Sequence, residues 1–284
     1  MVWCGCKSAS PAEIPLLSNE FGTPVKVQIN GYNGHSMEPF ISKDGNYLFF
    51  NNLNGAPENT NLHWATKTND SAFQYQGEIF GVNTPDLEGV PTMDNAGNFY
   101  FVSTRNYTNT LATIYQGRFN NGVVTDVRIA EGLSRQQLGQ INFDVEISAD
   151  GQTVYFADGL FNGGTVPVEA DLVIARKTNT GFERLPNSAA LLQNINTDAL
   201  EYAACISANQ LELYFTRLSL PVTANSEPII LRSRRANVNE AFGPPERIAS
   251  ITGFVEATTI APDQRSLYYH KKENGLHVLY MVRK

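Results

Sequence analysis

The chain has 284 residues, a formal net charge of −7 at pH 7, 11% aromatic and 17% charged residues, with 22 Gly and 14 Pro. An acidic balance of this kind excludes a nucleic-acid backbone as partner, because counterion release needs a basic stripe. No run approaches the roughly eighteen consecutive apolar residues of a membrane-spanning helix, and the Gly and Pro content suits one large domain of sheets joined by many turns.

The chain begins MVWCGCKSASPAEIP. The piece GCKSAS resembles the end of a bacterial lipoprotein signal, which implies a lipid anchor at Cys6 followed by a small polar linker. A disordered tail with an incidental pair, Cys4 and Cys6, is the alternative. Residues 1–20 are read as this tail or linker, and 21–284 as a single domain. The envelope, as periplasm or outer-membrane lipoprotein, or the exterior is the expected location. Next comes FGTPVKV at Phe21, nearly the same phrase as FGPPERI at Phe242.

From Ser42 onward one phrase recurs five times: SKDGNYLFFNN, DNAGNFYFVS at Asp94, SADGQTVYFAD at Ser148, SANQLELYFTR at Ser207 and APDQRSLYYHK at Ala261. The turn residues Gly45, Gly97, Gly151, Gln210 and Gln264 are spaced by 52, 54, 59 and 54 (97−45, 151−97, 210−151, 264−210). A period near 50 with aromatic-rich strand pairs around a tight turn is a β-propeller signature. Each unit reads as four strands. An inner strand enters the turn (EPFIS, GVPTM, VEIS, AACIS, ATTIA) and a second leaves it (NYLFF, NFYFV, TVYFA, LELYF, SLYYH). A third follows (NLHWAT, LATIYQ, DLVIAR, PIILRS, LHVLYM), then a shorter fourth (FQYQGEI, VVTDVRI, FERL, FGPPERI). The fifth unit stops at Lys284 after its third strand, so FGTPVKV is expected to supply the missing outer strand and close the ring. The predicted fold is all-β, a five-bladed β-propeller of four-stranded blades closed by the N-terminal strand. Loss of residues 1–30 is expected to destabilise the whole. Gln210 and Gln264 predict turns without an obligatory positive φ.

The phrases SADGQTVYFAD, RRANVNEAFGPPERI and FVEATTIAPDQRSLYYHKK resemble the TolB-like, WD-repeat-like β-propeller repeats of bacterial envelope proteins, over Phe21 to Lys284. That family implies the fold; its functions range over binding modules, scaffolds and a few polysaccharide-acting enzymes. HSMEPFISKDGNYLFF is superficially similar to the opening strand of five-bladed glycoside hydrolases of the arabinanase type. That strand carries Asp where this chain has Glu38, and no catalytic role is carried over.

Each inner strand begins with a carboxylate. Counted back from the turn residue, these are Glu38 (−7), Glu88 (−9), Asp144 (−7) with Glu146 (−5), Glu201 (−9) and Glu256 (−8). Alternation places those of the first four blades on one side of the pleat, and Glu256 needs a bulge to join them. Arg105, Arg217 and His270 fall on the same rim as their cationic complement, with His35 leading into Glu38. Three uses compete: structural acids bonded to backbone or arginine, a mouth for a sugar or cationic ligand, and an acid pair for glycoside hydrolysis. The expected function is a non-enzymatic binding or scaffold module for a glycan, peptide or protein at this rim. The alternative is a carbohydrate-active hydrolase or lyase using paired carboxylates at the same axial pocket.

Other chemistry is thin. The cysteines lack zinc spacing, the histidines lack HxxxH, and no DxDxDG loop, GxSxG elbow, Walker loop or dinucleotide fingerprint occurs, so no metal or cofactor is expected. Cys205 reads as a buried thiol, and His63 and His277 as packed strand residues. Long connections are expected at 130–142, 158–170 and 218–227, with AEGLSRQQL (130–138) forming a short helix over the channel and GLFNGGTVP a flexible rim loop.

Overall fold

The computed structural model describes residues 16–55 and 60–284, so Cys4 and Cys6 lie outside the described residues. Three short strands come first: β1 (Leu16–Ser18), β2 (Val25–Lys26) and β3 (Gln28–Asn30). Blade one is β4 (Met37–Ile41), β5 (Tyr47–Asn51), β6 (Leu62–Asn69) and β7 (Ala72–Glu78). Blade two is β8 (Glu88–Met93), β9 (Asn98–Ser103), the one-turn helix α1 (Tyr107–Thr110), β10 (Ile114–Asn120) and β11 (Val123–Ile129). Blade three is β12 (Gln140–Ile147), β13 (Thr153–Leu160), β14 (Glu169–Lys177) and β15 (Phe182–Arg184), followed by α2 (Ser188–Leu191). Blade four is β16 (Leu200–Ile206), β17 (Glu212–Leu218), β18 (Ile229–Arg234) and β19 (Glu246–Ile248). Blade five is β20 (Val255–Ile260), β21 (Ser266–Glu273) and β22 (Leu276–Arg283).

The fold is the expected all-β propeller of five blades. Within each blade neighbouring strands are antiparallel. The innermost strands β4, β8, β12, β16 and β20 pack in sequence around an axis, and β20 packs against β4. The second strand of each blade carries the large apolar side chains that fill the space between blades. Phe49, Phe99, Phe156, Tyr214 and Tyr269 are all buried there.

The N-terminal segment is a belt across three blades. β2 pairs antiparallel with β22, completing blade five as the FGTPVKV phrase predicts. β1 adds in parallel to β19 of blade four, and β3 in parallel to β7 of blade one. Arg232, wholly buried, locks the belt by donating to Ser18 Oγ (2.8 Å), Glu20 Oε2 (2.9 Å) and Glu246 Oε1 (2.5 Å). Arg232 and Arg234 together hold the Glu20 carboxyl down at about 2.

Two sequence expectations change. Gln210 (φ 58°) and Gln264 (φ 55°) keep the left-handed conformation that Gly45, Gly97 and Gly151 adopt in the other turns. Each glutamine sets a side-chain bond against that strain, of about 1–2 kcal/mol. Gln210 Oε1 accepts from Tyr155 OH (3.2 Å) and Gln264 Oε1 from the Ala208 N–H (2.8 Å). Residues 130–138 form turns, not a helix. Their polar groups are drawn to blade neighbours instead: Ser134 Oγ donates to the Leu111 carbonyl and Arg135 Nε to Asp158 Oδ2 (2.7 Å).

Candidate active site at the channel mouth

Every innermost strand breaks its register once, and each break contains a residue with positive φ. These residues are Glu38 (50°), Val90 (53°), Asp144 (53°), Ala203 (52°) and Ala257 (50°). All five stand seven residues before the turn residue (45−38, 97−90, 151−144, 210−203, 264−257). A β-bulge is therefore part of the repeat. A bulge shifts alternation by one, so the parity expected for the first four carboxylates fails, and the need for a bulge in blade five alone fails with it. The −7 row (Glu38, Val90, Asp144, Ala203, Ala257) lines the channel, and the −8 row (Met37, Gly89, Phe143, Tyr202, Glu256) precedes it toward the mouth.

The bulge frees backbone N–H groups, and the preceding blade accepts them. His270 Nδ1 accepts from Glu38 (3.1 Å), Asn51 Oδ1 from Val90 (3.2 Å) and Thr216 Oγ1 from Ala257 (3.1 Å). Those three acceptors stand six residues after their turns (270−264, 51−45, 216−210). Blade three has Ala157 there, with nothing to offer, and Asp144 Oδ2 accepts the Ala203 N–H instead (3.2 Å).

The predicted site residues divide into two groups. Glu88 and Glu201, at −9, are fully buried and fully partnered. Glu201 accepts from the Thr197 N–H (2.9 Å), Thr197 Oγ1 (2.7 Å) and Arg217 Nε (2.6 Å), while Arg217 Nη2 also donates to the Ile195 carbonyl (2.7 Å). Glu88 repeats the arrangement with Thr84 N–H (2.8 Å), Thr84 Oγ1 (2.7 Å), Ser103 Oγ (2.7 Å) and Arg105 Nη2 (3.0 Å). Arg105 and Arg217 are thus the partners of Glu88 and Glu201 and point their bonds away from the axial acids. Glu146 is likewise tied, to Lys43 Nζ (2.8 Å) and Thr92 Oγ1 (2.7 Å).

Glu38, Asp144 and Glu256 form the second group, on blades one, three and five. Glu256 Oε2 lies 3.2 Å from His270 Nε2, and its Oε1 accepts from Tyr202 OH. Because His270 Nδ1 already accepts a backbone N–H, the proton of the neutral ring sits on Nε2 and is donated to Glu256. Burial opposes ionisation of Glu256, yet the His270 and Tyr202 bonds hold its carboxyl below the usual range. Burial pushes Glu38 up, and the Glu256 charge adds to it, against relief from His270 and from Asn54 Nδ2, which donates to Oε1 at 2.7 Å. Glu38 is half-buried. Burial, then the charges of Glu38 and Glu256, carries Asp144 well above an ordinary aspartate, with only the Ala203 N–H to counter them.

His35 closes the blade-five side. Its Nδ1 accepts the His277 N–H (3.2 Å) and faces His277 Nδ1 at 3.2 Å. Burial, helped by His270 and His35, lowers His277 to about 4, so it is neutral. Among the described residues no three of His, Cys, Asp and Glu are arranged to hold a metal ion. Cys205 is buried, its Sγ accepting the Ile260 N–H at 3.2 Å.

The sequence reading missed Tyr202, Asn54 and His277 as members of this site. The repeat does contain a signal for Tyr202, which shares the −8 column with Glu256 (210−202, 264−256). The channel beneath the acids encloses about 20 Å³, room for a water but not a sugar. A larger hollow of about 280 Å³ lies on the opposite rim, against Lys43, Asp94 and Phe119. Its Asp94 is consumed by the Ala96 and Asn98 N–H groups (both 2.9 Å) and the Asn98 amide (2.6 Å), so it holds none of this chemistry.

No protein-family model matches the chain, and no curated protein matches it in sequence. Similar solved structures do exist. An arabinanase from Bacillus subtilis aligns with a TM-score of 0.57 at 12% identity, over 88% of this chain and 94% of its own. The catalytic domain of an alpha-L-arabinofuranosidase from Coprinopsis cinerea aligns with a TM-score of 0.54 at 11% identity, over 94% of this chain and 97% of its own. TolB from Acinetobacter baumannii reaches 0.47 at 12% identity, over 88% of this chain and 55% of its own, too little to argue from. The propeller implied by the TolB-like resemblance stands; the narrower family does not. The expectation of a non-enzymatic binding or scaffold module is also corrected. The structures sharing this fold are mostly glycoside hydrolases. The symmetric ring of satisfied acids that a scaffold predicts is absent from the described residues, where three acids of unlike environment meet at the axis.

Proposed function

We propose that this protein is a carbohydrate-active hydrolase whose reacting groups are Glu38, Asp144 and Glu256. One observation carries the reading: neighbouring carboxyls are pushed in opposite directions, Glu256 down and Glu38 and Asp144 up. Glycoside hydrolysis needs this division, one protonated acid and one carboxylate at the same pH. Glu38, partly open to the mouth, gives its proton to the leaving glycosidic oxygen as the C–O bond breaks. Glu256 is the ionised member and takes a proton from the attacking water as that oxygen bonds to the anomeric carbon, with Tyr202 and His270 fixing its orientation. Asp144, the most buried, stays neutral and holds the bulge of blade four through the Ala203 N–H. Gly89 lets Glu38 and Asn51 pack close to blade two, because a Cβ there would come within 3.4 Å of Glu38 Oε2 and 3.3 Å of Asn51 Oδ1.

Reducing-sugar release from debranched arabinan, arabinoxylan and xylan tests the reading, with arabinose-bearing glycans first because the two aligned enzymes are named for arabinose. The wild type should release sugar, and Glu38→Gln and Glu256→Gln should not. Absence of release by the wild type from every glycan would end the proposal. An envelope location belongs to the same proposal, on the GCKSAS start; labelled palmitate failing to enter the full-length chain would remove the lipid anchor at Cys6.

A further inference from the structure

The channel is too narrow for a sugar, so a glycan must lie on the rim, and the rim is uneven. In the −8 row blades three and four carry Phe143 and Tyr202, side by side and leading to Glu256, whereas blade two carries Gly89. The Phe143 and Tyr202 ring centroids are 6.2 Å apart, and Phe161 meets Phe143 edge-on at 6.1 Å. All three rings are half-buried, with part of each surface facing solvent.

Blade three is built to raise this line of rings. Its hairpin continues past the mouth: β12 and β13 stay paired to Gln140 and Leu160, and the Phe161 N–H still donates to the Gly139 carbonyl (2.8 Å). The phrase GLFNGGTVP therefore begins as strand, in Gly159 and Leu160, and continues as loop from Phe161. Gly159 makes room for the rings. A Cβ there would sit 2.5 Å from Phe143 Cε1 and 3.0 Å from Phe161 Cε2, so any larger residue would displace both. Tyr202 already commits its hydroxyl to Glu256, which leaves its ring face as the surface on offer. The nearby cations are spent, since Arg135 (2.7 Å) and Arg184 (2.6 Å) both bind Asp158.

We propose that Phe161, Phe143 and Tyr202 form a stacking track that holds uncharged sugar rings of a glycan chain and delivers the adjoining linkage to Glu256 and Glu38. This rests on the hydrolase reading for its direction, but not for its existence. The apolar face of a sugar ring suits an aromatic surface, and the pairing of Arg135 and Arg184 with Asp158 argues against an acidic sugar.

Affinity electrophoresis of the full chain through native gels containing debranched arabinan, arabinoxylan or xylan tests it, with Glu38→Gln as a form that should bind without turnover. At least one glycan should retard the protein. Phe161→Ala and Phe143→Ala should each weaken retention about three- to tenfold. Phe161→Trp should retain it and gain a tryptophan emission that shifts on glycan addition. Retention unchanged in Phe161→Ala overturns the track while leaving hydrolysis, lost in Glu38→Gln, intact as a separate finding. Retention lost in Phe161→Ala with no sugar released by the wild type supports the track and removes the hydrolase reading. A wild type retarded by none of the three glycans overturns it outright.

Discussion

Blades two and four, and blades one, three and five, use the same residue type at the start of the same strand for opposite ends. Glu88 and Glu201 each meet a threonine two-point cap and an arginine, and their charge is closed within one blade. Glu38, Asp144 and Glu256 meet one another and the His270 imidazole. The offset decides which. At −9 the side chain stands before the bulge and is paired in register with the end of the second strand, as Glu201 is with Arg217. At −7 Glu38 and Asp144 occupy the bulge, where the backbone turns them to the axis, and Glu256, at −8, is in register with His270 in place of an arginine. A repeated carboxylate thus reports folding in one register and unresolved charge in the next.

Exchanging the roles of the two groups is the sharpest way to break this contrast. Glu256→Gln and Glu38→Gln should each lower kcat by about a hundred- to ten-thousandfold, the usual worth of a positioned acid or base. Their folding free energy should move less than that of Arg217→Ala, since glutamine keeps the shape and an acceptor oxygen at each position. Glu88→Gln and Glu201→Gln should show the reverse emphasis. Arg217→Ala is the larger structural test. It strands the buried Glu201 carboxylate and should cost about 3–5 kcal/mol in denaturant titrations. A mild Arg217→Ala would mean that the Thr197 cap alone satisfies Glu201, and that blades two and four are not what we describe.

Much of the fold was legible because the repeat fixes strand number, and the FGTPVKV phrase fixes ring closure. The residues of the candidate site can be named from the repeat, but their grouping in the structure cannot. Glu38, Asp144, Glu256 and His270 were named together with Glu88, Glu201, Arg105 and Arg217. Nothing in a strand's alternation announces a left-handed residue at Val90, Ala203 or Ala257. Only a residue-by-residue alignment of all five units on the −7 column exposes the bulge, and even then its φ is a backbone fact. The two glutamine turns failed for a related reason. Gln210 and Gln264 tolerate positive φ because distant groups, Tyr155 and Ala208, bond their side chains.

The three axial acids should also separate from one another on a pH axis. Asp144 and Glu38 have folded-state pKa values above those of the unfolded chain, so the fold binds their protons more tightly. Their contribution is present at low pH and is lost as pH rises from the ordinary carboxylate range through the raised values. Glu256 is lowered, so its contribution is present above the ordinary range and lost as pH falls through its folded value. His277, lowered to about 4, adds stability that is present above the ordinary histidine range and lost on acidification toward that value. Chemical denaturation as a function of pH should therefore show Asp144→Asn removing the decline on the alkaline side of the carboxylate range. An unchanged alkaline slope in Asp144→Asn would mean the proton resides elsewhere in the cluster. Activity should be bell-shaped, rising with ionisation of Glu256 and falling with loss of the Glu38 proton.

The smallest effect separates the two jobs of Tyr202. Tyr202→Phe keeps the ring and deletes the hydroxyl that donates to Glu256 Oε1. A hydrogen bond to an ionised acceptor is worth about 1.5–3 kcal/mol, and one pKa unit corresponds to about 1.4 kcal/mol. His270 remains to share the charge, so the Glu256 pKa should rise by about one unit, toward the lower end of that worth. The acid limb of the rate profile should move up by the same amount, with the alkaline limb unmoved because the Tyr202 hydroxyl bonds Glu256 and Glu38 is bonded by Asn54. Glycan retention in native gels should stay at the wild-type level, since the stacking face is intact. Loss of retention with no shift of the acid limb would assign Tyr202 to the track alone. A shift in both limbs would mean that Tyr202 orders the whole acid cluster, and that the axial trio titrates as one unit in which no member has a role of its own.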